Sequence, residues 1–159
     1  FGLCHNLCIH ILKMQLKIQF AIPFENSPEN PSIQIWVFTD GWIYYQFSLY
    51  YVSNETKNWT ESRRYCTERG TDLVIINNKE EQDFVKKISR GTQTWIGLSD
   101  IFEESKWKWV DGSALNFRFW LVDEPRGKMV ENCVVTHVGW VDYPCTSVFK
   151  WISEKINIK

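Results

Sequence analysis

A run of four apolar residues, Trp95-Ile96-Gly97-Leu98, constrains the fold of this chain more than any other segment. It joins a large ring and two aliphatic side chains with no intervening polar residue, which is typical of a strand buried on both faces. The chain has 159 residues, with nine Trp, ten Phe and six Tyr, and this is enough for one core-rich domain. The tryptophans expected in that core are Trp95, Trp107, Trp109, Trp140 and Trp151.

Segments before this strand predict a hairpin and then a helix. The aromatic, β-favouring runs 42–47 and 50–52 indicate the hairpin. Residues 59–69 predict a helix, because Trp59 and Cys66 fall on one face and a glycine follows directly. The hairpin and the first helix are therefore expected to precede the buried strand in the chain.

A second helix is predicted over 79–89, where Asn78 and Glu81 form a capping box at its start. Short strands separated by long loops follow, and the main ones are 95–98, 133–137 and 149–153. Two early helices followed by such strands indicate an α+β fold with a mostly antiparallel sheet and a long loop region.

Composition and glycosylation sequons indicate the location of the protein and argue against two kinds of binding site. Glycosylation sequons begin at Asn54 and Asn58, and the pair favours an extracellular location. The formal net charge of −1 lacks the basic excess that drives nucleic-acid binding. No CxxC pair is present and the three His are scattered, so a zinc site is not expected.

The amino-terminal stretch differs from the rest. Its apolar part is interrupted by His and Lys, and the polar segment 26–31 contains two prolines. We interpret residues 1–40 as a poorly structured linker or stalk remnant, 41–155 as the folded domain and 156–159 as a tail. Any membrane attachment is expected through an anchor outside this sequence.

From residue 41 onward a set of short segments follows in one order: Gly41-Trp42, Arg64-Tyr65-Cys66, Trp95-Ile96-Gly97-Leu98, Trp107-Lys108-Trp109-Val110-Asp111-Gly112-Ser113, Glu124-Pro125, Glu131-Asn132-Cys133, Trp140-Val141-Asp142, Cys145 and Lys150-Trp151-Ile152-Ser153-Glu154-Lys155. In these segments and their order the chain resembles the C-type lectin domain, most closely the vertebrate type II receptors of the dendritic-cell mannose lectin and asialoglycoprotein receptor group. The resemblance implies a non-enzymatic, carbohydrate-binding immune-recognition domain, either secreted or the ectodomain of a type II membrane protein.

The ligand positions of the principal calcium site depart from the family pattern. In sugar-binding members five side chains hold an ion that also coordinates two sugar hydroxyls. Carried over by position, Glu124, Glu131 and Asp142 match ligands, whereas Arg126 and Val141 replace the other two. Ca²⁺ requires about six to eight oxygens, and neither arginine nor valine offers a side-chain oxygen. The resemblance therefore implies a degraded carbohydrate-binding site, with calcium weak or absent.

The auxiliary calcium site of the family also lacks some of its usual ligands in this chain. Asp100 and Glu104 match its ligands, but Gly127 stands where an asparagine is usual and Asn132 where an aspartate is. We expect only weak metal binding there.

Arg126 is the candidate replacement for the principal ion. Carboxylates without a cation repel one another, and a guanidinium offers donors in a planar fork that suits them. We therefore expect Arg126 to pair with at least one of these acids; the alternative is that it points into solvent. The resemblance also implies a cis peptide before Pro125 held by the ion, and without the ion the trans form should gain.

The five cysteines form an odd set, so at least one thiol is left over unless a second chain takes it. The resemblance implies that Cys133 pairs with Cys145. The family partner of Cys66 is replaced by Ser153. Strand alternation then predicts a buried Cys66 thiol facing the Ser153 hydroxyl. The open alternative is a bridge from Cys66 to one of the amino-terminal cysteines, Cys4 or Cys8.

Two other functional classes are alternatives at the level of the sequence. A cysteine hydrolase built on Cys66 and His137 lacks any flanking signature, and a cysteine on an apolar helix face is normally inert. A calcium-independent, protein-binding receptor domain of the natural-killer-receptor kind keeps the same fold without the calcium ligands. The expected partner is therefore a glycan or a cell-surface or secreted protein, and the sequence leaves the oligomeric state open.

Overall fold

The computed structural model describes residues 22–26, 34–38 and 40–155. By their internal contacts these residues form two units, one up to Tyr51 and the other Val52–Lys155. Among the described residues no helix is both long enough and apolar enough to cross a membrane.

The first unit contains three strands and all but the last residue of a fourth, joined by antiparallel pairing. They are β1 (Ile22–Asn26), β2 (Gln34–Val37), β3 (Ile43–Tyr45) and β4 (Ser48–Val52), paired in that order. Strands β1 and β2 lie within the stretch interpreted from sequence as a linker, so that interpretation does not describe 22–26 and 34–37. Strand pairing uses backbone groups, and the interrupting His and Lys residues and the prolines at 28 and 31 lie outside these two strands. The rest of 1–33 and the tail lie outside the described residues.

The β3–β4 hairpin confirms the predicted hairpin and has an unusual turn. Gln46 and Phe47 both adopt positive φ, 43° and 68°. Two such residues in succession match the twist of antiparallel strands, but glycine and asparagine favour this geometry far more than phenylalanine does. The Phe47 ring is 70% exposed, so little packing offsets the backbone strain.

Replacing this ring residue by glycine should therefore stabilise the hairpin. We expect Phe47→Gly to raise the free energy of unfolding by about 0.5–1 kcal/mol, since left-handed backbone is costly for a residue with a Cβ and the gain is reduced by the greater freedom of glycine in the unfolded chain. Phe47→Ala is the matched control, because it removes the ring but keeps the Cβ. Urea denaturation should show a gain for glycine alone; an equal gain for alanine would contradict the explanation.

The helices of the second unit are α1 (Trp59–Thr67) and α2 (Lys79–Ser89), as predicted. Helix α1 ends two residues earlier than the predicted limit of 69. Gly70, at φ 70°, turns the chain back so that the Thr71 amide donates to the Cys66 carbonyl at 3.1 Å. This hydrogen bond satisfies the Cys66 carbonyl at the end of the helix without a further helical turn.

The second unit contains six strands, and the buried apolar run forms most of one of them. They are β5 (Asp72–Leu73), β6 (Thr94–Ser99), β7 (Lys108–Trp109), β8 (Cys133–Thr136), β9 (Trp140–Tyr143) and β10 (Lys150–Lys155). Strand β6 pairs antiparallel with β7 and β8 and parallel with β10, while β5 joins β10 and β9 joins β8. All six residues of β6 are buried, which confirms the prediction for this strand.

Four of the five tryptophans expected in the core are there. Trp95, Trp109, Trp140 and Trp151 are between 0% and 4% exposed. Trp107 is only half-buried, so its assignment to the core was wrong. It lies just before β7, where its ring meets that of Trp120 edge-on with 4.9 Å between centroids.

The cysteines of the second unit behave as expected. Cys133 and Cys145 form a disulfide. Cys66 is fully buried and is the free cysteine within the described part of the chain. Its Sγ lies 3.0 Å from Ser153 Oγ, and burial raises the pKa of this thiol. The predicted thiol–hydroxyl pair is therefore confirmed, whereas Cys4 and Cys8 lie outside the described residues.

Candidate functional site

The predicted site residues come from two parts of the second unit. Glu124, Arg126 and Glu131 lie in the segment between β7 and β8, and Val141 and Asp142 lie in β9. Antiparallel pairing of β8 with β9 brings the start of one strand beside the end of the other. The fold thus carries the family's ligand positions to one end of the sheet.

Asp142 anchors the loop through both of its carboxylate oxygens. The side chain is 3% exposed. Oδ1 accepts the backbone N–H of Arg126 at 3.2 Å, and Oδ2 accepts that of Gly127 at 2.8 Å. Hydrogen bonds to a charged acceptor are among the stronger ones in proteins, so this carboxylate fixes the loop backbone.

Glu124 is paired with Arg126. Arg126 Nε lies 3.2 Å from Glu124 Oε1, while the glutamate side chain is 6% exposed and the arginine 73% exposed. The expected contact between Arg126 and an acid is therefore present, but the guanidinium covers the acid from the solvent side. Solvent screening on that side limits what the pair contributes to stability. The peptide between Glu124 and Pro125 is cis, so the expected shift toward trans without an ion is not seen.

The second oxygen of Glu124 faces a different environment. Oε2 is buried and has no hydrogen-bond donor among the described residues. Burial, and then the neighbouring Asp142 carboxylate, raise the pKa of Glu124 from 4.5 to about 7, against a smaller lowering by Arg126. Protonation of Glu124 would remove the repulsion between its carboxylate and that of Asp142, so a raised pKa is expected for two acids in a buried place.

This shifted pKa predicts an unusual pH dependence of stability. A group whose folded-state pKa exceeds its unfolded value stabilises the fold while protonated, and the contribution is lost as the pH rises from about 4.5 to about 7. We expect a loss of up to about 3 kcal/mol across that window, and none further above it. The measurement is urea denaturation at several pH values in EDTA.

The variant Glu124→Gln isolates this effect, because it keeps the shape of the side chain but cannot ionise. Its unfolding free energy should exceed that of the unmodified protein at pH 8, and the difference should shrink toward pH 5. Parallel pH profiles for the two proteins would exclude Glu124 as the source.

Gly127 and Glu131 fit closely against each other. A Cβ added at Gly127 would overlap the Cβ, Cγ and Oε2 of Glu131. The resemblance implies an asparagine ligand at the glycine position, and here the Glu131 side chain fills that space. Glu131 also contributes to the raised pKa of Glu124, so it belongs to the same acidic cluster. The sequence could not reveal this exchange, since it depends on packing between residues four apart in an irregular loop.

The other replaced position, Val141, packs against the hydrophobic core. It is half-buried and offers no donor atom. At this position the chain therefore has an apolar contact where the family has a metal ligand.

The auxiliary ligand positions are only partly assembled. Asp100 is 3% exposed, and its Oδ2 accepts the Ser105 amide at 2.8 Å, while Oδ1 has no hydrogen-bond partner among the described residues. The Asn132 carbonyl accepts the Asp100 amide at 3.1 Å, and Glu104 is exposed. Within the described ranges no group of three or more His, Cys, Asp or Glu side chains is arranged to hold a metal ion. At the principal position, two of the residues that match family ligand positions, Arg126 and Val141, offer no side-chain oxygen.

Gln82 supports the site and was missed by the sequence analysis. It is 4% exposed and lies in α2. Its Oε1 accepts Trp140 Nε1–H at 2.8 Å, and its Nε2 donates to Thr136 Oγ1 at 3.1 Å. It thus ties the helix to β8 and β9, the strands that carry Asp142 and border the loop. A usable signal was its spacing of three residues from Val85 on the apolar face.

The two sequons differ in accessibility. Asn54 and Thr56 are exposed. Asn58 is the N-cap of α1, and its Oδ1 accepts the Glu61 amide at 2.8 Å. The middle residue of its sequon, Trp59, is 4% exposed. Asn54 is therefore the more accessible candidate for glycosylation.

Comparisons with known proteins agree with this architecture. The Lectin C-type domain model matches residues 55–155. CD209 antigen-like protein D of Mus musculus is 38% identical over 121 residues, covering 73% of this chain and 51% of that protein, so the chain spans about half its length. The mouse scavenger receptor C-type lectin carbohydrate-recognition domain superposes with a TM-score of 0.72 at 31% identity, covering 76% of this chain and 98% of that one.

A second structural neighbour is a calcium-independent type II antifreeze protein. It has a TM-score of 0.70 at 26% identity, with 77% of this chain and 96% of that one covered. This fold therefore also occurs in a protein described as calcium-independent. Because the family model spans well over half of the 159 residues, the chain belongs to the C-type lectin family, a family of binding domains and not of enzymes.

Proposed function

We propose that this chain is an extracellular recognition domain of the carbohydrate-recognition type that binds its ligand without calcium at the principal site. The observation that carries the proposal is that protein donors already occupy one oxygen of Glu124 and both oxygens of Asp142. Arg126 covers Glu124, and two backbone N–H groups hold Asp142. Groups of the chain itself thus contact two of the three acids at the family's ligand positions.

A calcium ion would have to displace these contacts. It would need Arg126 to leave Glu124 and the loop backbone to leave Asp142, in return for a ligand set that lacks two side-chain oxygens. A nearby guanidinium also repels the ion. The displaced contacts, the missing ligand oxygens and the repulsion by the guanidinium all weaken calcium binding, so binding at millimolar calcium is not expected.

The extracellular setting is supported by the disulfide and by the exposed sequon at Asn54. The carbohydrate-recognition domains among the relatives favour a glycan ligand. A second candidate, a calcium-independent protein ligand, is favoured by the exposed aliphatic side chains of the loop, Val122, Met129 and Val130.

Calorimetry tests the proposal directly. Titration of the chain with millimolar CaCl₂ should give no heat of binding at the principal site, and a calcium-dependent C-type lectin domain in the same buffer serves as the positive control. Retention on mannose or galactose resin, if any, should be unchanged by EDTA. Micromolar calcium affinity together with EDTA elution from either resin would show the proposal to be wrong.

A further inference from the structure

Asn58 uses one side-chain atom for the fold and leaves the other available. Its Oδ1 accepts the Glu61 amide at 2.8 Å and so caps helix α1. Among the described residues its Nδ2 has no hydrogen-bond partner, and the atom is not fully enclosed. Asn58 is the first residue of the sequon Asn58-Trp59-Thr60, and an N-linked glycan is attached to the asparagine through Nδ2. The atom needed for attachment is therefore the one that the helix cap does not use.

The backbone pairing around Asn58 places an exposed valine opposite it. Lys57 and Phe149 form an antiparallel bridge in which each amide donates to the other's carbonyl, at 3.0 and 3.1 Å. The next residues along such a pair are Asn58 and Val148, and antiparallel geometry puts two opposite residues on the same face with their side chains close together. Phe149 packs against the core whereas Val148 is 62% exposed, so this face is the outer one.

The residue after Asn58 supports this orientation. Trp59 is 4% exposed, and its Nε1–H donates to the Ile96 carbonyl at 2.9 Å, so its ring points into the core. The Trp59 amide donates to the Cys145 carbonyl at 3.1 Å, which keeps this segment against the chain that leads to Val148. Asn58 itself has extended backbone angles, φ −68° and ψ 165°. Because successive side chains of an extended chain point to opposite sides, Asn58 points outward.

We propose that Asn58 carries an N-linked glycan whose first sugar lies over Val148. In the transfer, the bond between C1 of the oligosaccharide and the pyrophosphate of a lipid-linked donor breaks, and C1 forms a bond to Asn58 Nδ2. The lipid pyrophosphate leaves, and Nδ2 gives up one proton to it. Oδ1 remains an acceptor, so the cap of α1 is kept.

The first sugar has a physical reason to lie over Val148. A pyranose ring carries apolar C–H groups on its faces, and placing them over an exposed valine removes apolar surface from water. The sugar hydroxyls at the rim of the ring stay in solvent. The inference rests on the extracellular setting of the proposed function and not on the ligand or the calcium dependence of that function.

Site mapping tests the attachment. The 159-residue chain is secreted from mammalian cells behind a cleavable signal peptide, and enzymatic deglycosylation in heavy-oxygen water then converts each glycosylated Asn into a labelled Asp. Thr56→Ala removes the sequon of Asn54, and Thr60→Ala removes that of Asn58 without changing the cap. We expect label at Asn58 in Thr56→Ala and none there in Thr60→Ala. An unlabelled Asn58 in Thr56→Ala, where the neighbouring sequon cannot compete, would overturn the proposal.

A cycle of variants tests the contact with the valine. Four proteins are compared, all carrying Thr56→Ala: with and without Thr60→Ala, and each of these with and without Val148→Ser. Loss of the Asn58 glycan should lower the melting temperature by about 2–4 °C when Val148 is present, and by much less in the Val148→Ser pair. Direct effects of the substitutions cancel in the difference between the two comparisons. Equal losses in both pairs would overturn the placement of the sugar over Val148.

Calcium calorimetry on the secreted protein separates this inference from the proposed function. Calcium binding at the principal site would defeat the proposed function and leave the Asn58 glycan unaffected. A bare Asn58 in a protein that does not bind calcium would defeat only this inference.

Discussion

Ser153→Cys should convert the buried Cys66 thiol into one half of a disulfide and raise the free energy of unfolding by up to about 4 kcal/mol. Cys66 Sγ and Ser153 Oγ are 3.0 Å apart across 87 positions of sequence, on α1 and β10. The bridge would restrict the unfolded chain over nearly all of the second unit, and loops of this length give the largest entropic effect. Thermal unfolding after oxidation is the measurement.

Two controls separate the bridge from the substitution itself. Reduced Ser153→Cys reports the effect of a second buried thiol without the bond, and Ser153→Ala reports the loss of the hydroxyl beside Cys66. Only the oxidised cysteine variant should gain stability. An unchanged melting temperature after mass spectrometry has confirmed the bridge would count against the entropic argument. If the unmodified protein instead contains a bridge from Cys66 to Cys4 or Cys8, its unreduced peptide map will show it.

Elements with local signals were predictable from the sequence. Helix α2 begins where Asn78 caps the Glu81 amide at 2.8 Å, and the Glu81 side chain accepts the Asn77 amide in return. Alternation placed Ser153 on the core side of β10, opposite Cys66. These features depend on residues a few positions apart, or on the strand period of two that puts Trp151 and Ser153 on the same face of β10.

The site was predictable in its members but not in its contacts. The resemblance named Glu124, Arg126 and Asp142 as site positions, whereas the acid–arginine contact was one of two outcomes that the sequence left open. The role of the loop backbone in holding Asp142 could not follow from side-chain chemistry, because the donors are main-chain amides. The fit of Gly127 against Glu131 is likewise a consequence of tertiary packing.

The double variant Arg126→Asn/Val141→Asn is expected to bring back calcium binding. It removes the guanidinium from Glu124 and supplies two amide oxygens, so five oxygen-bearing side chains stand at the family's ligand positions. We expect a dissociation constant of about 10⁻⁴–10⁻³ M, typical of extracellular calcium modules, and calcium-dependent retention on sugar resin. At a tenfold excess over that constant, calcium should stabilise the fold by about 1.4 kcal/mol.

The matched control is Arg126→Lys/Val141→Asn, which supplies one new oxygen but keeps a positive charge at the loop. If Arg126 stands in for the ion, this variant should stay metal-free, and Val141→Asn alone should do the same. Calorimetry and melting temperatures with and without CaCl₂ distinguish the three proteins. One result would contradict the explanation by charge: an asparagine double variant that is as stable as the unmodified protein in EDTA and still does not bind calcium. The block would then lie in the backbone amides that hold both oxygens of Asp142, and not in the charge of Arg126.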